Sequence, residues 1–132
     1  WQVKHELIWV KNNHVLGRAD YNYKHEPILY GWGKKHRFEG KGEFKTSVWE
    51  IPKPTNSDLH PTMKPVPLFA EMMMNSSRAN DIVLDLFGGS GTTLIAAEQL
   101  GRKSRLMELD PHYCDVILAR WEQFTGKTAV RL

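Results

Sequence analysis

The stretch DIVLDLFGGSGTT, residues 81–93, decides the fold. Its near-continuous apolar run, Asp81–Phe87, predicts a parallel β-strand that is buried on both faces. Gly88-Gly89-Ser90-Gly91, the glycine turn, then leads into a predicted helix over Thr92–Leu100 that Gly101 ends. Because this turn carries almost no side chains, a ligand can lie directly against its backbone N–H groups and the helix N-terminus. The alternative is a tight structural connection that binds nothing.

The sequence after residue 101 completes a strand–helix–strand–helix pattern. Lys103–Leu109 predicts the second strand, and Asp110-Pro111 supplies an N-cap and a first-turn proline for an amphipathic helix. Glu108 lies at the end of this second strand, 23 residues after Asp85. In a doubly wound sheet, a carboxylate at this place can accept both hydroxyls of a ribose. The glycine turn and Glu108 together predict an adenosyl ligand.

The kind of adenosyl ligand is narrowed by what the glycine turn lacks. A nucleotide-binding P-loop needs a Lys after its glycines, and this chain has Thr92-Thr93 there. A dinucleotide-binding fingerprint needs a third Gly where this chain has Leu94. The carboxylate of Asp85 at the strand end would repel a phosphate but would attract an ammonium or a sulfonium. The turn therefore favours an adenosyl ligand with a cationic end.

The first half of the chain predicts three short strands and one helix. The strands are Glu6–Lys11, His25–Trp32 and Ser47–Ile51, and the helix runs from Val66 to about Asn75. A polar loop joins the first two strands, and a proline-containing, linker-like stretch over residues 52–59 precedes His60.

Composition and charge indicate the class of protein. With 132 residues, 41% hydrophobic and 25% charged, the chain is one globular domain or a large piece of one. It has no run of 18 apolar residues and no signal-peptide pattern, so we expect a cytoplasmic protein without a membrane partner. The single cysteine, Cys114, forms neither an internal disulfide nor a zinc cluster, and we expect no metal site.

The net charge of +3 comes entirely from the first part of the chain. Residues 1–60 carry ten Lys/Arg against seven Asp/Glu, whereas the remainder carries eight of each. The basic residues Lys34, Lys35, Arg37 and Lys41 alternate with aromatic ones, which combines attraction for phosphates with rings that stack on bases. This pattern predicts contact with nucleic acid, and the alternative is a solvated basic loop.

Three stretches resemble motifs of DNA amino-methyltransferases of the class in which the cofactor motifs follow the catalytic one. HPTMKP at 60–65, VLDLFGGSGTT at 83–93 and MELDPHY at 107–113 resemble motif X, motif I and motif II. HELIWVKNN, KHEPILYGWG and RWEQFTGKTAV are similar to phage and prophage members of that family. The family's motif I usually has Pro where this chain has Leu86, a difference that alters turn stiffness and removes no ligand group.

The resemblance implies a partial, Rossmann-like α/β fold of S-adenosylmethionine-dependent methyltransferases, with the upstream catalytic strands absent. Residues 1–59 would hold late strands and target-facing loops of the catalytic domain, and residues 60–132 would bind S-adenosylmethionine. Asp85, Phe87 and the glycine turn would hold the methionine part of the cofactor, Glu108 its ribose, and Lys64 with Thr62 its carboxylate. The implied cofactor-binding residues are Asp85, Phe87, Gly88, Gly89, Ser90, Gly91, Thr92, Glu108, Thr62 and Lys64.

The resemblance also implies a reaction and a partner. The family flips a base out of double-stranded DNA and methylates its exocyclic amine, using an Asp/Asn/Ser-Pro-Pro-Tyr/Phe/Trp tetrapeptide. These 132 residues contain no such tetrapeptide, so we expect it upstream of Trp1, assign no catalytic residue and expect the chain alone to be inactive. Adenine N6 is the favoured target over cytosine N4. The DNA-binding candidates are Lys34, Lys35, Arg37 and Lys41.

Two other functions stay open at this point. A truncated gene would leave a non-catalytic module that binds S-adenosylmethionine or DNA. Because the absence of the upstream strands would expose a sheet edge, pairing with a complementing chain or with a second copy would then be expected. The same fold also serves small-molecule and protein methyltransferases, although the HPTMKP stretch and the basic aromatic segment argue against these substrates.

Overall fold

A computed structural model describes residues 2–14, 17–18, 20–40, 45–53 and 63–131. The chain divides into two compact units, Trp1–Lys53 and Pro54–Leu132. The boundary predicted at 59/60 lies outside the described residues and stays a prediction. The two units are described one at a time, as unit 1 and unit 2.

Unit 1 is a three-stranded sheet with the order β2-β1-β3. Its strands are β1 (Gln2–Val10), β2 (His25–Trp32) and β3 (Val48–Glu50). The central strand β1 pairs antiparallel with β2 and parallel with β3. Trp9 lies in the middle of this sheet with 1% of its surface exposed, and its indole N–H donates to the carbonyl of Ile51 at 2.7 Å. A buried Trp whose one polar atom is paired is a strong anchor for a small sheet.

Unit 2 contains the predicted strand–helix–strand–helix pattern, preceded by one helix. Its elements are α1 (Val66–Ser76), β4 (Ile82–Asp85), α2 (Thr92–Gln99), β5 (Lys103–Leu106) and α3 (Pro111–Thr125). β4 and β5 pair in parallel, so α2 is the crossover of a β-α-β unit. Met73 of α1 packs against Ala96 and Ala97 of α2, and these three side chains form the buried core of the unit.

The ends of the predicted helices are confirmed. Gly101 and Gly126 adopt the left-handed conformation, with φ of +67° and +70°. Gly126 directly follows α3, and Gly101 follows α2 after the single residue Leu100. The carboxylate of Asp110 accepts the N–H of His112 at 2.9 Å and caps the N-terminus of α3.

Both strands of unit 2 end earlier than the apolar runs predict, because acidic side chains accept hydrogen bonds from the backbone N–H groups that follow each strand. β4 ends at Asp85, whose carboxylate accepts the N–H of Phe87 at 2.9 Å. β5 ends at Leu106, and the carboxylate of Glu108 accepts the N–H groups of the two residues that follow it. A side chain that bonds nearby backbone replaces the strand ladder with a turn.

The prediction that β4 is buried on both faces is wrong for the described residues. Ile82 and Leu84 are 66% and 63% exposed, whereas Val83, on the opposite face, packs against the core. Within unit 2, β4 has β5 as its one hydrogen-bonded neighbour, and the helices of the core cover one face of the pair. Among the described residues, the helices are all too short or too polar to cross a membrane.

Candidate cofactor site

A pocket of about 310 Å³ lies at the carboxyl end of β4 in unit 2. A cavity of this size suits a small organic ligand. It brings together eight of the ten residues predicted to bind the cofactor. The residues that line it are Met63, Lys64, Phe69, Asp85, Phe87, Gly88, Gly89, Ser90, Thr92, Thr93 and Glu108. Of the two other predicted residues, Gly91 is buried and does not line the pocket, and Thr62 lies outside the described residues.

Asp85 organises the start of the glycine turn with both of its oxygens. One oxygen accepts the N–H of Phe87 at 2.9 Å, and the other accepts the hydroxyl of Thr93 at 2.5 Å. Thr93 is 2% exposed, so this second bond is held inside the protein. The sequence analysis did not assign Thr93, although a Thr in the first turn of the helix after the glycines was the available signal. The carboxylate is therefore fixed in place before any ligand arrives.

Glu108 binds the other side of the same turn. One carboxylate oxygen accepts the N–H of Gly89 at 2.7 Å. The other accepts the N–H groups of Leu109 and Asp110 at 2.8 and 3.0 Å. Glu108 thus fixes the glycine turn from the side of the pocket that it lines.

The glycine turn holds its own shape. The N–H of Gly88 donates to Met107 at 2.8 Å, and the N–H of Gly91 donates to Gly88 at 2.8 Å. Gly89 and Gly91 have φ of +52° and +78°, which other residues adopt only with strain. At Gly91 a Cβ would also lie 3.1 Å from the side chain of Ile117. Gly91 is therefore a packing position that lets α3 approach the turn.

Arg120 of α3 contacts the glycine turn from outside the pocket lining. Its guanidinium donates to the carbonyl of Ser90 at 2.9 Å and lies 3.3 Å from the hydroxyl oxygen of Thr92. Burial lowers the pKa of Arg120 below its ordinary value, because desolvation disfavours the charged form. The sequence analysis missed this residue, since an Arg in an amphipathic helix carries no local signal for a contact 30 residues away.

The remaining pocket residues supply an apolar wall and a connection to the segment before α1. Met63 and Phe69 line the pocket together with Phe87, which is 88% exposed. The hydroxyl of Thr92 donates to the backbone carbonyl of Lys64 at 3.1 Å, so this backbone is bonded to the start of α2. The pocket combines fixed carboxylates, a lysine and aromatic rings, which suits a ligand that is both charged and partly apolar.

The basic segment predicted to meet DNA lies in unit 1, beside an aromatic surface. This aromatic surface consists of His5, Tyr30, Trp32, His36 and Phe38, whose rings form a chain of contacts. The shortest joins Trp32 and His36, with ring centroids 3.9 Å apart. The amine of Lys4 lies 6.0 Å from the Trp32 ring, which suits a cation–π contact.

The predicted DNA-binding residues differ in their surroundings. Lys34 and Lys35 are exposed. Arg37 is also exposed but forms an ion pair with Glu39 at 2.5 Å, so part of its charge is already compensated. Lys41 lies outside the described residues. Two lysines therefore remain the strongest phosphate-contacting candidates of the four.

Comparison with known proteins gives one family. A family model described as DNA methylase, N6_N4_Mtase, matches residues 1–119. The chain is 30% identical over 115 residues to the type II methyltransferase M2.LlaDCHI of Lactococcus lactis subsp. cremoris, covering 86% of this chain and 40% of that protein. It is also 30% identical over 135 residues to the type II methyltransferase M.HinfI of Haemophilus influenzae, covering 86% and 38%. The chain thus spans about two fifths of these relatives.

A solved structure shares the architecture. The crystal structure of the M1.HpyAVI–SAM complex superposes with a TM-score of 0.77 at 30% identity, covering 90% of this chain and 62% of that one.

Proposed function

The chain belongs to the DNA methylase family and has part of the Rossmann-like methyltransferase fold, and from this premise we propose that its pocket at the end of β4 binds S-adenosylmethionine. One observation carries the proposal. The carboxylates of Asp85 and Glu108 flank one glycine turn and are fixed by hydrogen bonds to it and to the start of α2. M1.HpyAVI was solved as a complex with this cofactor, which supports the same ligand here.

The chemistry of the pocket suits each end of this cofactor. S-adenosylmethionine carries a sulfonium and an ammonium, which favour a negative site such as that of Asp85. Its ribose hydroxyls can donate to the carboxylate oxygens of Glu108, which lines the pocket. Lys64 is the cation for the cofactor's carboxylate, Phe87 contacts the methionine part, and Phe69 is the ring beside the adenine. The residues of the pocket therefore match a ligand of mixed charge with an aromatic base.

Titration calorimetry of S-adenosylmethionine into the chain tests this assignment. Asp85→Asn and Glu108→Gln keep the shapes of the side chains but remove the charges. We expect each to weaken binding about 10- to 100-fold, the size of a lost charge-assisted hydrogen bond. Asp81→Asn is the matched control, because Asp81 precedes the same strand and bonds the backbone of Arg78 away from the pocket. Equal affinity of all four proteins would disprove the pocket assignment.

We further propose double-stranded DNA as the partner, contacted by Lys34 and Lys35 beside the aromatic surface. Each phosphate contact that is lost lowers the slope of log affinity against log salt by roughly 0.9. In the variant Lys34→Ala/Lys35→Ala, the slope of log affinity for duplex DNA against log salt should therefore decrease by the equivalent of about two such contacts. Lys127→Ala/Arg131→Ala removes the same charge from another exposed region and should leave the slope unchanged. An unchanged slope in the first variant would exclude these lysines.

The reaction we propose is transfer of the cofactor's methyl group to an exocyclic amine of a flipped base, with loss of one amine proton. The 132 residues contain no Asp/Asn/Ser-Pro-Pro-aromatic tetrapeptide, so we expect cofactor binding without methylation by the chain alone. We propose adenine N6 as the target. Mass spectrometry of nucleosides from DNA treated with the protein that includes such a tetrapeptide would show N6-methyladenine, and N4-methylcytosine would contradict the choice.

A non-catalytic module is the second candidate. The observation that favours it is that the described residues form a cofactor-sized pocket to which no catalytic role is assigned. Such a module would bind S-adenosylmethionine or DNA and act through a complementing chain or a second copy. For such a module we expect cofactor binding but no methyl transfer in a mixture of the chain, the cofactor and DNA. Methylation after a second chain that supplies the tetrapeptide is added would identify the complementing partner.

A further inference from the structure

Arg120 does not line the pocket, yet its guanidinium contacts two residues that do. The same nitrogen lies 2.9 Å from the carbonyl oxygen of Ser90 and 3.3 Å from the hydroxyl oxygen of Thr92. Ser90 and Thr92 are each 5% exposed, so these contacts are shielded from water. Hydrogen bonds from an ionised donor are about twice as strong as neutral ones. The half-buried charge of Arg120 loses part of its hydration at the turn, and these bonds compensate for that loss.

Thr92 extends this contact to the segment before α1. A hydroxyl has one proton to donate and two lone pairs to accept with. The hydroxyl of Thr92 accepts from Arg120 and donates to the carbonyl of Lys64 at 3.1 Å. The result is a chain of hydrogen bonds, Arg120–Thr92–Lys64, that joins α3, the start of α2 and the segment before α1. These three parts are far apart in the sequence and meet at the pocket.

We propose that Arg120 is a positioning residue for the cofactor pocket, acting through Thr92 on the backbone of Lys64 and through Ser90 on the glycine turn. Without the guanidinium, the hydroxyl of Thr92 is free to rotate, and its bond to Lys64 weakens. The pocket wall at Lys64 and the turn then lose their common support. This inference rests on the proposed function, because the quantity that Arg120 controls is the affinity for S-adenosylmethionine.

The same unit offers a matched control for a purely structural role. Arg102 also uses its guanidinium to bond backbone carbonyls, those of Leu100 at 2.6 Å and Ser77 at 2.8 Å. Neither of these residues lines the pocket. Arg102→Met and Arg120→Met thus remove the same kind of side chain and the same kind of bond. Only the second removal reaches the pocket.

The first test compares the two variants by calorimetric titration of S-adenosylmethionine and by urea unfolding. We expect both to lower stability, and we expect only Arg120→Met to weaken cofactor binding, by about tenfold, the worth of one charge-assisted bond. Arg102→Met should bind within twofold of the wild type. Equal binding by both variants would overturn the inference. If the folded wild type does not bind the cofactor, the proposed function is overturned as well. Failure of the inference about Arg120 and failure of the proposed function therefore give different results.

The second test asks whether Arg120 and Thr92 act as one chain. Thr92→Val removes the hydroxyl and should weaken binding, whereas Thr92→Ser keeps it and should restore binding to within threefold of the wild type. If Arg120 acts partly through Thr92, the loss of binding in Arg120→Met/Thr92→Val should be smaller than the product of the two single losses, and the contact of Arg120 with Ser90 accounts for the part that remains. If the losses of affinity in the two single variants multiply in full in the double variant, the hydrogen-bond path Arg120–Thr92–Lys64 is disproved. If Arg120→Met fails to fold, Thr92→Val and Thr92→Ser are measured in a protein that carries Arg120→Lys, which gives the same comparison.

Discussion

The two units hold their candidate surfaces in different ways. In unit 2 the pocket is set by short hydrogen bonds, such as those of Asp85 to Phe87 and Thr93. In unit 1 the aromatic surface is set by ring contacts, such as that of Trp32 at the end of β2 with the exposed His36 in the segment that follows the strand. A small ligand of fixed shape favours the first arrangement, because preorganised groups lose little freedom on binding. A long charged polymer tolerates the second, since electrostatic attraction and stacking need less exact geometry.

The largest expected effect tests whether the two units are independent. Trp9→Ala removes the most buried large side chain of unit 1 and its bond to Ile51. We expect a loss of about 3–5 kcal/mol in the stability of this unit. S-adenosylmethionine should still bind, because every residue that lines the pocket belongs to unit 2. Far-ultraviolet circular dichroism in urea, together with calorimetric titration, measures both quantities.

Val3→Ala is the control for Trp9→Ala, since Val3 is 48% exposed on the same strand, and its effect should stay below about 1 kcal/mol. If cofactor binding is lost as unit 1 unfolds, the two units are not independent and unfold together.

The next effect separates packing from backbone strain at the glycine turn. Gly91 and Gly126 have φ of +78° and +70°, so alanine is strained at both, by roughly 1–2 kcal/mol. At Gly91 the added methyl group also meets Ile117 at 3.1 Å, whereas at Gly126 no atom lies within 4 Å. Gly91→Ala should therefore destabilise by about 1–3 kcal/mol more than Gly126→Ala.

Urea unfolding and cofactor titration of both glycine variants measure this difference. Only Gly91→Ala should also weaken S-adenosylmethionine binding, because α3 would be pushed away from the turn. Equal effects on stability would show that α3 yields to the added methyl group and that the close approach of Ile117 has no importance for the pocket.

Much of unit 2 was predictable because its signals are local. The conformations of Gly101 and Gly126 and the cap at Asp110 each depend on a few neighbouring residues, and the structure has all three. The helix and strand order follows directly from such signals. The pairing of β1 with β3 was not predictable, since Ile8 and Val48 are 40 positions apart and nothing in either strand specifies a parallel partner.

The rest of the site depends on contacts between distant residues. Arg120 reaches Ser90 across 30 residues, and no spacing rule indicates such a contact. The prediction for β4 was wrong because an apolar run indicates that a strand can be buried, not what covers it. Ile82 and Leu84 are exposed on the face away from the core. The sequence motifs thus predicted where the ligand groups lie, while the support behind them needed the structure.

The smallest effect tests the local hydrogen bonds on which unit 2 depends. Asp110→Ala removes the N-cap of α3, whose oxygen accepts the N–H of His112 at 2.9 Å. Loss of such a cap costs about 1 kcal/mol. Asp115→Ala, at an exposed position further along α3, should change stability by less than about 0.5 kcal/mol. If urea unfolding finds the two variants alike, then the start of α3 is held by Glu108 and by tertiary contacts such as the packing of Ile117. The glycine turn would then be preorganised by tertiary contacts and not by the local hydrogen bonds that distinguish unit 2 from unit 1.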